Sequence, residues 1–150
     1  MSNPDTDFVK TGTALSPGSM RKSDPTIRIL RSCTYTIDLG KRLVFVKFVG
    51  ILSFSGIEDY ASHLRADKQF SPSLCEIVDL RGIEQIVLSP AEAIKLADSV
   101  DPFSPKSRRA FVVRSHPDTN SPNMHRILRP GGSNIRVFSS LENAESWVKG

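Results

Sequence analysis

Cysteine is scarce in this chain, and what little there is has no pattern. The 150 residues contain two, Cys33 and Cys75, with no CxxC and no Cys/His spacing, which excludes a readable zinc site and a disulfide framework. Long apolar runs are also missing. No stretch approaches the roughly 20 residues of a membrane span, and "MSNPDTDFVK" lacks the apolar segment of a secretory signal. The expectation is a cytoplasmic, reduced protein, not membrane-embedded.

The signatures of common enzyme classes are missing too. No GxGxxG follows a strand, no GxxxxGK[ST] exists, and no GxSxG elbow is present. "RPGGSN" is glycine-rich but ends a helical pattern, so it lacks the helix N-terminus that would hold phosphate. The three histidines, His63, His116 and His125, have no convincing Cys or Ser nucleophile near them in sequence. The reading is of a chain that is not an enzyme and carries no cofactor.

What is present is an ordinary soluble composition, 39% apolar and 24% charged, with a net charge of +4. The bases are scattered. The densest piece, "KSRRAFVV", runs into an apolar strand with no interleaved aromatics, so Lys106, Arg108 and Arg109 make a poor nucleic-acid stripe, and no DNA or RNA partner is expected. A chain of this length fits one domain. Residues 1–25, rich in Ser, Thr, Pro and Gly, read as a flexible tail, leaving 26–150 as the domain.

Periodicity orders that domain. "TIRILRSCTYTID" alternates at Ile27, Ile29, Cys33, Tyr35 and Ile37, interrupted at Arg31, as a half-buried edge strand does. "DLGK" supplies a hairpin turn, and "RLVFVKFVGIL" reads as a central strand covered on both faces. A helix follows, with Ser55 and Glu58 spaced as a capping box and Ile57, Tyr60, Ala61 and Leu64 on one face. "LCEIVDL" is the next strand, ending in the charged turn "DLRG". Ser89, Pro90 and Glu92 start a second helix, with Ile94 and Ala97 inward and Pro102 as its stop. "RRAFVV" is a strand, and "SPNMHRILRPGG" a helix with Met124, Ile127 and Leu128 on its apolar face. "NIRVFSS" is the last strand. A final helix turns Leu141, Ala144 and Val148 inward, with Trp147 beside them. The order β-β-α-β-α-β-α-β-α predicts an α/β domain, a five-stranded and mostly parallel sheet with one antiparallel edge strand.

Ligands of open α/β sheets gather beyond the carboxyl ends of the parallel strands. Those ends carry Gly50, then Asp79, Arg81 and Gly82, then Arg114 and Ser115, and the nearby helix starts add Ser55 and Ser89. These residues form the candidate rim. Asp79 reads first as an acceptor for loop amides and Ser89 as a helix cap. An arginine is longer than a turn requires and suits carboxylate or anion recognition, which singles out Arg81.

The segments "TIDLGKRLVFVKFVGILSFSGIEDYASHLRADKQFSPSLCEIVDLRGI", "SRRAFVV" and "IRVFSSLENAESWV" resemble the SpoIIAA-like proteins, relatives of the STAS domain. That resemblance implies a small non-enzymatic α/β domain that works by docking. Anti-sigma-factor antagonists of this kind carry a serine in a "DxS" turn, switched off by a partner kinase. Here Asp79 matches the aspartate, but Arg81 stands at the serine position and places a positive charge where phosphorylation would place a negative one. Ser89 is a substitute acceptor only if it is not needed as a cap. The leading expectation is a regulatory or protein-interaction module, monomer or homodimer, docking through the rim. The alternative is a carrier of an anionic lipid or nucleotide, held in an apolar pocket with Arg81 or Arg114 at its head group.

Overall fold

The computed structural model describes residues 26–114 and 134–150. The tail at 1–25, Ser115, and the helix expected at "SPNMHRIL" with His116 and His125 lie outside the described residues.

The first apolar alternation does not form one strand. Arg31 interrupts it because the chain reverses there: β1 (Arg28–Ile29) and β2 (Cys33–Asp38) are antiparallel neighbours, closed by Leu30 N–H donating to the Cys33 carbonyl at 2.8 Å. Cys33, Tyr35 and Ile37 are buried as expected, whereas Ile27 and Ile29 are exposed on the edge strand. Among the described residues the sheet therefore has six strands, not five.

β2 turns into β3 (Leu43–Ser53) through "LGKR". The Asp38 carboxylate accepts the Lys41 amide at 3.1 Å, and the left-handed residue is Arg42 (φ 54°), not the glycine. β3 pairs in parallel with β4 (Cys75–Val87), β4 with β5 (Arg109–Val112), and β5 with β6 (Ile135–Phe138), giving the order β1-β2-β3-β4-β5-β6. This is the mostly parallel α/β sheet with an antiparallel edge that the pattern of elements predicts.

Among the described residues three helices pack on it. α1 (Phe54–Ala66) buries Tyr60, Ala61 and Leu64 against the main core, with Ile57 partly buried. Its cap is Ser53, whose Oγ accepts the Gly56 amide at 3.3 Å. Ser55 falls inside the first turn and makes no capping box with Glu58. α2 begins at Pro90 behind the expected capping box: Ser89 Oγ accepts from Glu92 N at 3.1 Å, and Glu92 Oε1 accepts from Ser89 N at 2.9 Å. It runs to Lys95 and continues as a wide π-type turn, Leu96–Val100. The inward residues are Ala93, Leu96 and Val100. Ile94, expected inside, is exposed, so the apolar stripe sits one position before the expected one, and the Ala97 side chain lies outside the described residues. α3 (Leu141–Lys149) packs Ala144 and Val148 on the opposite face, over Leu43, Ile77, Ala110 and Val112.

The sheet is thus covered unequally. α1 and α2 lie along one face. On the other, among the described residues, α3 covers the end near Leu43 and Ile77. β3, expected to be covered on both sides, buries Val44, Val46, Phe48 and Leu52 on one face and exposes Lys47, Val49 and Ile51 on the other. No helix among the described residues is long and apolar enough to cross a membrane.

Candidate functional site

"DLRG" does not end its strand. β4 continues eight residues past Asp79, paired with β3 as a ribbon that extends beyond β5. What the charged segment makes is a bulge. Asp79 is opposite Lys47 and Gly82 is opposite Val49, so Leu80 and Arg81 together face the single residue Phe48. A second irregularity follows where Gly50 and Ile51 pair with Ile83 and Gln85, and there Gly50 adopts φ +76°, a conformation that favours glycine. Gly82 is small for a different reason: a Cβ there would stand 3.0 Å from Val49 Cγ1.

The bulge is locked by its own charges. Asp79 is 2% exposed and accepts three bonds from Arg81: the backbone amide at 3.0 Å, Nε at 2.9 Å and Nη2 at 2.9 Å. Burial alone would raise the Asp79 pKa, but the Arg81 bonds and charge, with Lys47 alongside, hold it below the usual carboxylate value. The pair is bidentate and charge-assisted, which fixes Arg81 in direction. The Arg81 side chain nevertheless remains 42% exposed.

Asp79, Arg81 and Lys47 lie on the face that α3 only partly covers. The same face of the ribbon carries Val49, Ile51 and Val87, which are 53%, 57% and 48% exposed. An apolar strip with two cations at its inner end is the result.

The rim residues do not converge on one point. Arg114 reaches the same stretch of β4, donating from Nη2 to the Ile83 carbonyl at 2.9 Å, a group that β5 is too short to pair. Ser55 and Ser89 stand at the far end of the ribbon, six residues or more beyond Arg81 along β4, and Ser89 is committed to its cap. His63 is exposed, its Nδ1 2.9 Å from the Asp59 carbonyl.

The basic cluster turns inward. Arg109 lies beneath α1 and α2, bonded through Nε to Glu76 Oε1 at 2.9 Å and through Nη1 to Asp101, with its guanidinium 4.8 Å from the Phe103 ring centre. Tyr60 donates to the other Glu76 oxygen at 2.7 Å. Burial would lower the Arg109 pKa, but Glu76 and Asp101 outweigh it and raise it further. Burial, then the Glu76 charge, pushes the Tyr60 phenol well up. Arg108 donates to the Trp147 carbonyl at 2.6 Å and stacks on its ring, 5.3 Å from the centre. Two of the three cations expected on the surface are thus occupied by the protein itself.

Sequence reasoning missed this buried network. The signal was available: Glu76 interrupts the apolar run "LCEIV", and a charge in a buried strand requires partners.

No protein-family model and no curated protein sequence matches the chain. Among solved structures it is similar to an uncharacterised protein of the DUF3478 family with a SpoIIAA-like fold from Shewanella loihica PV-4. The two are 17% identical, with a TM-score of 0.48 over 83% of this chain and 92% of that one.

Proposed function

We propose that this protein is a non-enzymatic interaction module. It docks an acidic and apolar segment of a partner protein on the face of the β3–β4 ribbon that is exposed among the described residues, beside Asp79 and Arg81. The observation that carries this reading is the exposed strip of Val49, Ile51 and Val87 bordered by Lys47 and the clamped Arg81. A contiguous apolar patch of this kind is typical of an interaction surface. Its cations would repel a second copy of the same patch, so charge favours a different protein carrying a carboxylate.

An anionic lipid or nucleotide at the rim is less well served. Arg114 is spent on the Ile83 carbonyl, and neither it nor Arg81 lines the apolar cavity between sheet and helices.

Native mass spectrometry of the protein purified gently from its own cells tests the reading. A second polypeptide should be retained by the natural chain. It should be lost from both Arg81→Glu and Ile51→Asp and kept by Ile94→Asp, a control on α2. Retention of the same polypeptide by the two ribbon variants would remove this face from the proposal.

A further inference from the structure

On the opposite side of the sheet lies a half-open apolar cavity of about 70 Å³. Leu96 and Val100 of the wide turn stand across it from Ile57 and Ala61 of α1, and Val78 and Leu80 of the sheet form its floor. At one end sit Glu76, Asp101, Arg109 and Tyr60, already bonded to one another. Those groups need nothing from a ligand. A polar groove outside, lined in part by Ser55, Arg65 and Lys95, shares Val100 with the cavity. Arg65 bridges from α1 to α2, its Nη2 donating to the Ser99 carbonyl at 3.1 Å and to the Val100 carbonyl.

We infer that this cavity is a binding site for a short unbranched aliphatic chain, inserted end-on between α1 and the wide turn of α2. The lining selects an uncharged apolar group. The volume excludes a ring, since apolar cavities that hold benzene are about 150 Å³. The turn that widens to line the cavity is of a rare type that is frequent at functional sites. Arg65 ties α1 to the end of the wide turn at Val100, which lines the cavity, and the proposed route for the chain is past that tie. This site is independent of the docking face, and either can fail without the other.

The test is a series of alcohols, 1-butanol to 1-octanol, titrated into the natural chain and followed through the methyl resonances of Ile57, Leu80, Leu96 and Val100. Affinity should rise about fourfold per added carbon, the worth of one buried methylene, and then level off once the cavity is filled. Shifts that never saturate, or an affinity that climbs through the whole series, would overturn the proposal, because partition onto the surface has no length limit. Ala61→Leu narrows the cavity from α1 and should weaken 1-hexanol at least tenfold. Undiminished binding in the folded variant overturns the site, and if that variant does not fold the alcohol series alone decides. Arg65→Gln should speed both association and dissociation severalfold, and unchanged rates would overturn the access route. Hexadecanoic acid separates the sources: binding at the plateau affinity assigns the chain to a long acyl tail, and exclusion assigns it to a small free molecule.

Discussion

Asp79 and Arg81 show how one residue pair can stabilise a bulge and still offer a charge. The carboxylate is buried and fully occupied by its neighbour two positions on, while the guanidinium keeps one side outward. "DxR" reads as a turn in sequence because charge after an apolar run usually means solvent. Here the charges satisfy each other, and the strand goes on. Cys33 makes a related point. Its thiol is raised from 9.0 to about 12 by burial and then by the Asp59 charge. The unfolded chain releases that proton near its ordinary value and the folded one does not. Above about pH 9 the unfolded state therefore binds fewer protons, and stability falls with rising pH, by at most about 1.4 kcal/mol per unit from this group. Urea titrations at pH 8, 9 and 10 should show that loss in the natural chain and a smaller one in Cys33→Ala. Equal slopes would mean the thiol is not protected.

At the scale of elements, the described helices and most strands were legible because their periods are clean. Ser89 with Glu92 was read correctly as a capping box, since Pro90 fixes where the helix starts. α1 has no such marker. "SFSG" offers two serines, and the sequence favours Ser55 through Glu58, whereas Ser53 takes the role because β3 runs directly into the helix with no connecting loop. Ser53→Ala should therefore cost about 1 kcal/mol, the usual worth of an N-cap, and Ser55→Ala a few tenths at most. Thermal unfolding of the two variants checks this, and equal losses would restore Ser55 as the cap. The length of β4 was not legible. Past Asp79 its residues alternate poorly, because two bulges displace the pattern, and only the partner strand reveals that pairing continues. On α2 the buried Ala93, Leu96 and Val100 keep the ordinary three-and-four spacing, so the misplaced Ile94 is an error of phase: "AEAIKLA" offers more than one apolar stripe.

Taken as a whole, the molecule is tied together by one buried set of charges. Tyr60 comes from α1, Glu76 from β4, Arg109 from β5, and Asp101 from the segment that leaves α2. Four parts of the fold that are distant in sequence meet at a guanidinium beneath the helices. Such a network costs desolvation at every member, so its net contribution is small while all members are present. Removing one is different. Arg109→Leu leaves Glu76 and Asp101 without their shared cation, and the expected loss is about 3–5 kcal/mol, a large part of the roughly 5–15 kcal/mol that holds a domain of this size. Tyr60→Phe leaves one carboxylate oxygen short of a donor and should cost about 1–3 kcal/mol. Because both changes act on Glu76, they are not independent. Adding Glu76→Leu to Arg109→Leu and Tyr60→Phe removes the stranded charge, so the triple variant should be more stable than Arg109→Leu alone, although more of the network is gone. Urea midpoints with constant slope would measure this. A triple variant whose loss equals the sum of the single losses would mean that the four groups act separately, and that the buried ions do not work as a unit.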